Sequence, residues 1–265
     1  MTGRLRHYVC GSTSHDVGAM FRGVTAGRRE FPSGSFLYDA EDGRRVLFDT
    51  GYATGAWRTG WRGDVYRRLL PPHVVDGDDI AAQLAADGID TASVTHVVLS
   101  HLHPDHVGGV RRFPGATFVL SAGHERTLRH PRLRSGVLPG LLPEWFPRGD
   151  RIVLEKESFR RVRIGSVELR VHDLLGDGSY LVLDLPGHAD GHLGALVDGR
   201  VLLAGDAAWG SDLLDVSSRL RALPRAIQHD ARRYADTAES LQRLAEEGIR
   251  VVCSHDPLDA KDLID

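Results

Sequence analysis

The chain is poor in cysteine, lysine, net charge and long apolar runs. Cysteine occurs only as Cys10 and Cys253, which excludes a disulfide framework and is read as two reduced thiols in a reducing compartment. Lysine occurs only as Lys156 and Lys261, so positive charge is almost all arginine, a bias of composition before it is a sign of function. The 33 basic and 36 acidic side chains leave a net charge of −3. No single-sign field is available to hold nucleic acid or an anionic membrane non-specifically. No apolar run reaches the length of a membrane helix. The opening Met1 to His7 leads into no apolar stretch, so no signal peptide is expected and the expected compartment is the cytoplasm. Linkers, low-complexity tracts and fixed-period repeats are missing as well. The expectation is one domain over 1–265, globular in composition, as a monomer or homodimer with a small-molecule substrate and neither nucleic acid nor membrane as partner.

Short apolar strands recur along the chain between turn signals. Ser35–Tyr38 and Arg45–Phe48 flank Glu41-Asp42-Gly43 as a hairpin. Thr95–Ser100 is an almost unbroken apolar run, as in a strand buried on both faces. Thr117–Leu120, Val167–Val171, Tyr180–Leu183, Gly194–Val197, Val201–Ala204 and Arg250–Cys253 follow, with Asp198-Gly199 as a tight turn. Asp78 or Asp79 caps a helix with Ile80, Leu84 and Ala85 on one face and a stop at Gly88. A second helix runs from Tyr234 to Glu247 on Ala238, Leu241, Leu244 and Ala245, ended by Gly248. Strands with interspersed helices predict a mixed α/β or α+β layered domain. Two Gly/Pro-rich stretches, 51–72 (Tyr52, Trp57, Trp61, Tyr66) and 133–149 (Trp145, Phe146), carry aromatics. Such aromatics either cover a core edge or wall a pocket, and the two segments 51–72 and 133–149 are expected to line or lid the site.

The chemistry concentrates at Ser100-His101-Leu102-His103-Pro104-Asp105-His106-Val107-Gly108-Gly109. Four potential ligands fall within six residues, directly after a buried strand. Neutral imidazole and carboxylate are good zinc donors. The alternate spacing puts His101 and His103 on one side of an extended turn. Asp105 and His106 then curl over toward a second metal as a helix begins. Further polar residues end other strands: Asp49 in Phe48-Asp49-Thr50-Gly51, His188 and His192 in Pro186–His192, Asp206 after Ala204-Gly205, and His255 in Ser254-His255-Asp256. Strand C-terminal ends are where open α/β sheets gather sites.

These motifs, spread from Phe48 to Asp256, resemble the metallo-β-lactamase-fold hydrolase superfamily. The resemblance implies a four-layer αββα sandwich with metals at the edge between two sheets. It implies one metal on His101, His103 and His188, and a second on Asp105, His106 and His255. Asp206 matches the bridging carboxylate and Asp49 the residue that supports the ligands. His192 takes a supporting or structural place. The implied cofactor is two Zn2+, with iron or manganese as alternatives. Two such ions share a hydroxide that attacks a carbonyl or phosphoryl centre, and Asp105, with Asp206, is the expected catalytic carboxylate, Asp105 shuttling the proton.

Within the superfamily the chain is most similar to the branch that includes N-acyl-homoserine lactone hydrolases. Those carry a tyrosine three residues after the bridging carboxylate. Here Trp209 stands there, whose indole N–H donates but cannot ionise; Tyr52 and Tyr180 are the candidates to replace that phenol. The expected activity is hydrolysis of a small ester, lactone or related acyl compound. The alternatives on the same fold are an iron-dependent oxidoreductase of the sulfur dioxygenase kind and a phosphodiesterase or nuclease.

Overall fold

A computed structural model describes residues 3–54 and 59–265. Among these, β1 (Arg4–Asp16), β2 (Arg28–Asp39), β3 (Arg45–Phe48), β4 (His96–Val98), β5 (Thr117–Ser121) and β6 (Arg151–Leu154) form the first sheet. The second holds β7 (Arg160–Ile164), β8 (Val167–Asp173), β9 (Tyr180–Asp184), β10 (Leu193–Val197), β11 (Val201–Gly205) and β12 (Arg250–Cys253). A last strand, β13 (Asp262–Ile264), returns to the first sheet beside β1. β1 to β3 pair antiparallel and β3 to β6 parallel, so the ends of β3 and β4 point the same way. In the second sheet β7 to β11 run antiparallel and β12 lies parallel to β11.

Side-chain alternation along the strands builds the layers. Phe36, Val46, Phe48 and Val98 face the second sheet and pack against Tyr180, Val182, Ala195 and Leu203. Their chain neighbours Leu37, Leu47, Val97 and Leu99 face outward and are covered by Ile80 and Leu84 of the helix Ile80–Ala86. On the far side, Leu183, Leu196 and Leu202 are covered by Ala238, Leu241 and Leu244 of the helix Ala231–Glu246. Each such leucine contributes about 1.5–3 kcal/mol by leaving water. The order is therefore αββα, the architecture the resemblance implies.

The helices are α1 (Val17–Met20), α2 (Gly60–Leu69), α3 (Ile80–Ala86), α4 (Pro104–Val107), α5 (Ala122–Arg129), α6 (Ala222–Ile227) and α7 (Ala231–Glu246). Asp79 caps α3 through Ala81 N–H, and Asp230 caps α7 through Arg232 and Arg233 N–H. The α7 helix starts before Tyr234 because its cap is Asp230. Ala85 and Ala245, expected on the buried faces, are exposed, and Thr237 is buried instead. The Asp198-Gly199 turn is present, with φ of 49° and 63°. Both cysteines are buried and unpaired. Among the described residues no helix is long and apolar enough to cross a membrane.

The aromatic stretches meet the expectation only in part. Phe146 packs edge-on and Trp145 tilted against Phe118, at ring-centroid distances of 5.0 and 5.9 Å. They close the outer core of the first sheet, where their apolar area leaves water, while Arg134, Ser135 and Val137 of the same stretch line the cavity beside His103 and His188. Residues 60–69 are helical, with Trp61 in solvent and the Tyr66 hydroxyl bonded to that of Tyr52 at 2.8 Å. Trp57 lies outside the described residues.

Candidate metal centre

Strand ends from both sheets meet at one edge. Asp49 follows β3, and His101 and His103 follow β4. His103 is also the N-cap position of α4, whose first turn, started by Pro104, carries Asp105 and His106. Asp206 follows β11, His255 follows β12, and His188 lies on the loop after β9. Gly108 and Gly109 let this turn lie against β3's exit: a Cβ at Gly109 would stand 2.5 Å from the Thr50 carbonyl oxygen.

All seven side chains expected as ligands converge. One donor atom from each of His101, His103, His188 and Asp206 lies within 4.8 Å of the others, and the same holds for Asp105, His106 and His255. Asp206 joins the two groups: its Oδ2 is 3.5 Å from His188 Nε2 and 3.2 Å from His255 Nε2, and its Oδ1 is 3.3 Å from His106 Nε2. His188 Nε2 stands 3.2 Å from both His101 Nε2 and His103 Nδ1.

The outer nitrogens decide which way the lone pairs face. His106 Nδ1–H donates to Asp49 Oδ2 at 2.7 Å, and His188 Nδ1–H to Gln228 Oε1 at 2.9 Å. His255 Nδ1–H donates to the Pro32 carbonyl at 2.7 Å, and His103 Nε2–H to the Ser135 carbonyl at 3.1 Å. His101 Nδ1 rests 3.0 Å from Ser100 Oγ, which donates to Asp49 Oδ2 at 2.6 Å. With those hydrogens turned outward, the inner nitrogens of the five rings face one another and the carboxylates, and at His101, His103 and His188, which burial keeps neutral, three lone pairs converge. Such an array of acceptors repels itself unless a cation sits among them. His106 Nε2 and Asp206 Oδ1 are buried without a hydrogen-bond partner, which fits the same conclusion. Nitrogen and oxygen donors in this ratio suit zinc, iron or manganese.

The electrostatics split the two groups. Burial lowers His101 well below the usual imidazole range and His103 to about 4, helped by neighbouring rings. Burial also pushes His106 and His255 down, but carboxylates outweigh it. Asp105, Asp206 and Asp49 hold His106 well above its ordinary value, and Asp206 and Asp105 raise His255 to about 9. In return, against burial, His106 and His255 bring Asp105 down to about 2, and His255 and His106 hold Asp206 well below the carboxylate range. Asp49, wholly buried, is pushed up by burial despite His106 and Ser100. Its φ of 58° is unusual outside glycine, and it turns the carboxylate onto Ser100 N–H at 2.7 Å as well as His106.

His192 faces away from the cluster: its Nε2 accepts the Asp206 backbone N–H at 3.1 Å and so holds that residue's main chain. Trp209 packs in an aromatic group with Phe21, Tyr234 and His188, at 6.1, 6.1 and 6.3 Å between centroids. Tyr180 is enclosed between the sheets; Tyr52 bonds Tyr66. Sequence reasoning missed Gln228, Ser100 and the carbonyls of Ser135 and Pro32. Ser100 abuts the motif and was findable. The other three contacts cross 40, 32 and 223 positions with no pattern to mark them.

Comparison with known proteins finds similar chains. The family model described as the metallo-beta-lactamase superfamily matches residues 28–255. A probable metallo-hydrolase of Mycobacterium tuberculosis is 30% identical over 232 residues, covering 83% of this chain and 73% of that protein. The N-acyl homoserine lactonase AttM of Azorhizobium caulinodans is 32% identical over 238 residues, covering 85% and 79%. Among solved structures, an N-acyl homoserine lactone hydrolase with N-hexanoyl-L-homoserine bound at its catalytic metal center shares the fold. Its TM-score is 0.73 at 17% identity, over 97% of this chain and 94% of that one.

Proposed function

The chain belongs to the metallo-beta-lactamase superfamily, and on that premise we propose that it is a dinuclear metal-dependent hydrolase of a small ester, lactone or related acyl compound, working as one domain over 1–265. The observation that carries this reading is the inward convergence of five imidazole nitrogens and two carboxylates described above. His101, His103 and His188 would hold one cation, and Asp105, His106 and His255 the other, with Asp206 shared. Zinc is the metal we expect. Bound there, the pair supplies Lewis acidity toward a carbonyl oxygen and lowers the pKa of water toward ~7.

The protein's own residues supply the rest. Gln228, Asp49, Ser135 and Pro32 fix the ring orientations, so no ligand must rotate before it binds, and His106 and His255 give up the proton that the carboxylates hold on them when a cation takes its place. Asp105 turns Oδ2 toward His106 and His255, at 3.6 and 3.7 Å, and its side chain is 13% exposed. Its Oδ1 is then available to take a proton from water and pass it to the leaving oxygen. The name of AttM supports the acyl and lactone class. Trp209, 7% exposed, offers a ring in place of a phenol, which favours a substrate other than a homoserine lactone.

The test is metal content together with turnover of p-nitrophenyl esters and lactones. His103→Ala and Asp206→Asn should each lower bound metal and cut turnover by about 100-fold or more. Unchanged turnover in both removes the reading. Trp209→Tyr probes substrate choice: homoserine-lactone turnover should rise, and no rise takes that position out of substrate selection.

A further inference from the structure

A cavity of about 280 Å³ opens directly beside the first ligand group, with His103 and His188 in its wall. Three arginines, Arg126, Arg132 and Arg134, line it, with Asp190 as the acidic side chain among its lining residues. Arg126 and Asp190 satisfy each other, at 2.7 and 3.1 Å. Arg132 and Arg134 have no ion-pair or hydrogen-bond partner for their guanidinium groups among the described residues, and a guanidinium remains charged at any working pH. The wall therefore carries two uncompensated positive charges in a chain whose net charge is −3.

The segment bearing these charges is tied to the metal ligands. Ser135 accepts the His103 Nε2–H through its carbonyl. Gly136 has φ of 67°, and a Cβ there would stand 2.6 Å from the His103 ring. The backbone that carries the arginines is thus anchored against a ligand ring, and their exposed, unpartnered side chains are free to close on a group bound beside it. Between them Leu133 is exposed, and Ile227 of α6 lines the same cavity. The neighbourhood so combines apolar surface with cationic ends.

We propose that the substrate is an acyl compound bearing a second, anionic group, a carboxylate or a phosphate, which Arg132 and Arg134 bind while the scissile carbonyl lies at the metal ligands. This rests on the hydrolase reading above and narrows its substrate class. A planar guanidinium pair suits the two oxygens of either anion.

The test compares p-nitrophenyl pentanoate with the p-nitrophenyl half-ester of glutaric acid, which differ by a terminal carboxylate, on the zinc-loaded protein. The wild type should favour the half-ester by about tenfold in kcat/KM, and Arg132→Ala/Arg134→Ala should abolish that ratio. Arg129→Ala, which removes an exposed α5 arginine paired with Glu125, should keep it. Hydrolysis of both esters without discrimination, or discrimination that survives the double variant, overturns the proposal and leaves the hydrolase reading intact. Calorimetry with glutarate and with butyl phosphate reads the anion site without turnover. Binding weakened about tenfold in the double variant supports the site even if neither ester is cleaved, which would count against hydrolysis alone. Binding indifferent to the arginines overturns it. The tighter of the two probes identifies carboxylate or phosphate as the group recognised.

Discussion

Replacing Asp49 by asparagine should cost the site one metal while leaving the fold in place. Asp49 Oδ1 accepts Ser100 N–H at 2.7 Å, a bond the amide oxygen of asparagine can keep. Oδ2 accepts from Ser100 Oγ at 2.6 Å and from His106 Nδ1 at 2.7 Å. An amide nitrogen in that place donates, so His106 Nδ1 must become the acceptor. A neutral imidazole carries one hydrogen, which then moves to Nε2. That hydrogen points at Asp206 Oδ1, 3.3 Å away, where a metal-binding lone pair is needed. Partners of this kind are worth about 10–100-fold in metal affinity, or roughly 1.4–2.7 kcal/mol. Asparagine tolerates the φ of 58° as well as aspartate does, so backbone strain does not confound the result. Competition with a chromophoric chelator and metal-to-protein ratios would read the loss at the His106 group, with ring-nitrogen NMR reporting the tautomer. If Asp49→Asn holds both cations at wild-type affinity, tautomer control by Asp49 is wrong.

Gly136→Ala forces a Cβ into the His103 ring and strains the left-handed backbone by about 1–2 kcal/mol; turnover should drop at least about tenfold, and normal kinetics would show that the loop does not position His103. Gln228→Ala should weaken metal binding by about 10–100-fold, and Gln228→Glu should restore it, since a carboxylate also accepts the His188 Nδ1–H; equal loss in both variants would assign Gln228 to packing. Acid should destabilise the protein before its carboxylates titrate. Burial holds His7 and His124 down to about 4. Because their folded values lie below the unfolded value, the stability they contribute is complete above about pH 6.5 and is lost as pH falls toward 4. The loss is up to about 3 kcal/mol for each. Urea midpoints at pH 7 and 5 measure it, and His7→Gln/His124→Gln should flatten the difference; an undiminished drop refutes the assignment.

The primary structure alone carried the strand ends, because a buried strand of alternating or continuous apolar residues must stop where polarity begins, and the polar groups stand at those stops. His101, His103, Asp105 and His106 are neighbours in the chain, so their nearness needs no fold to be seen. The hairpin and the faces of α3 and α7 were legible through turn chemistry and helical period. The convergence of His188, Asp206 and His255 on that turn was legible only through a resemblance, since nothing local brings them together. Tertiary packing alone decided the rest. It drew Trp145 and Phe146 into the core against Phe118, placed Ala85 and Ala245 in water, and set Gln228, Ser135 and Pro32 behind the imidazoles. It also gathered Arg132 and Arg134 beside His103 and His188. Contacts of this kind join groups far apart in the chain through single hydrogen bonds or shared cavity walls, which leave no periodicity in the residues that make them.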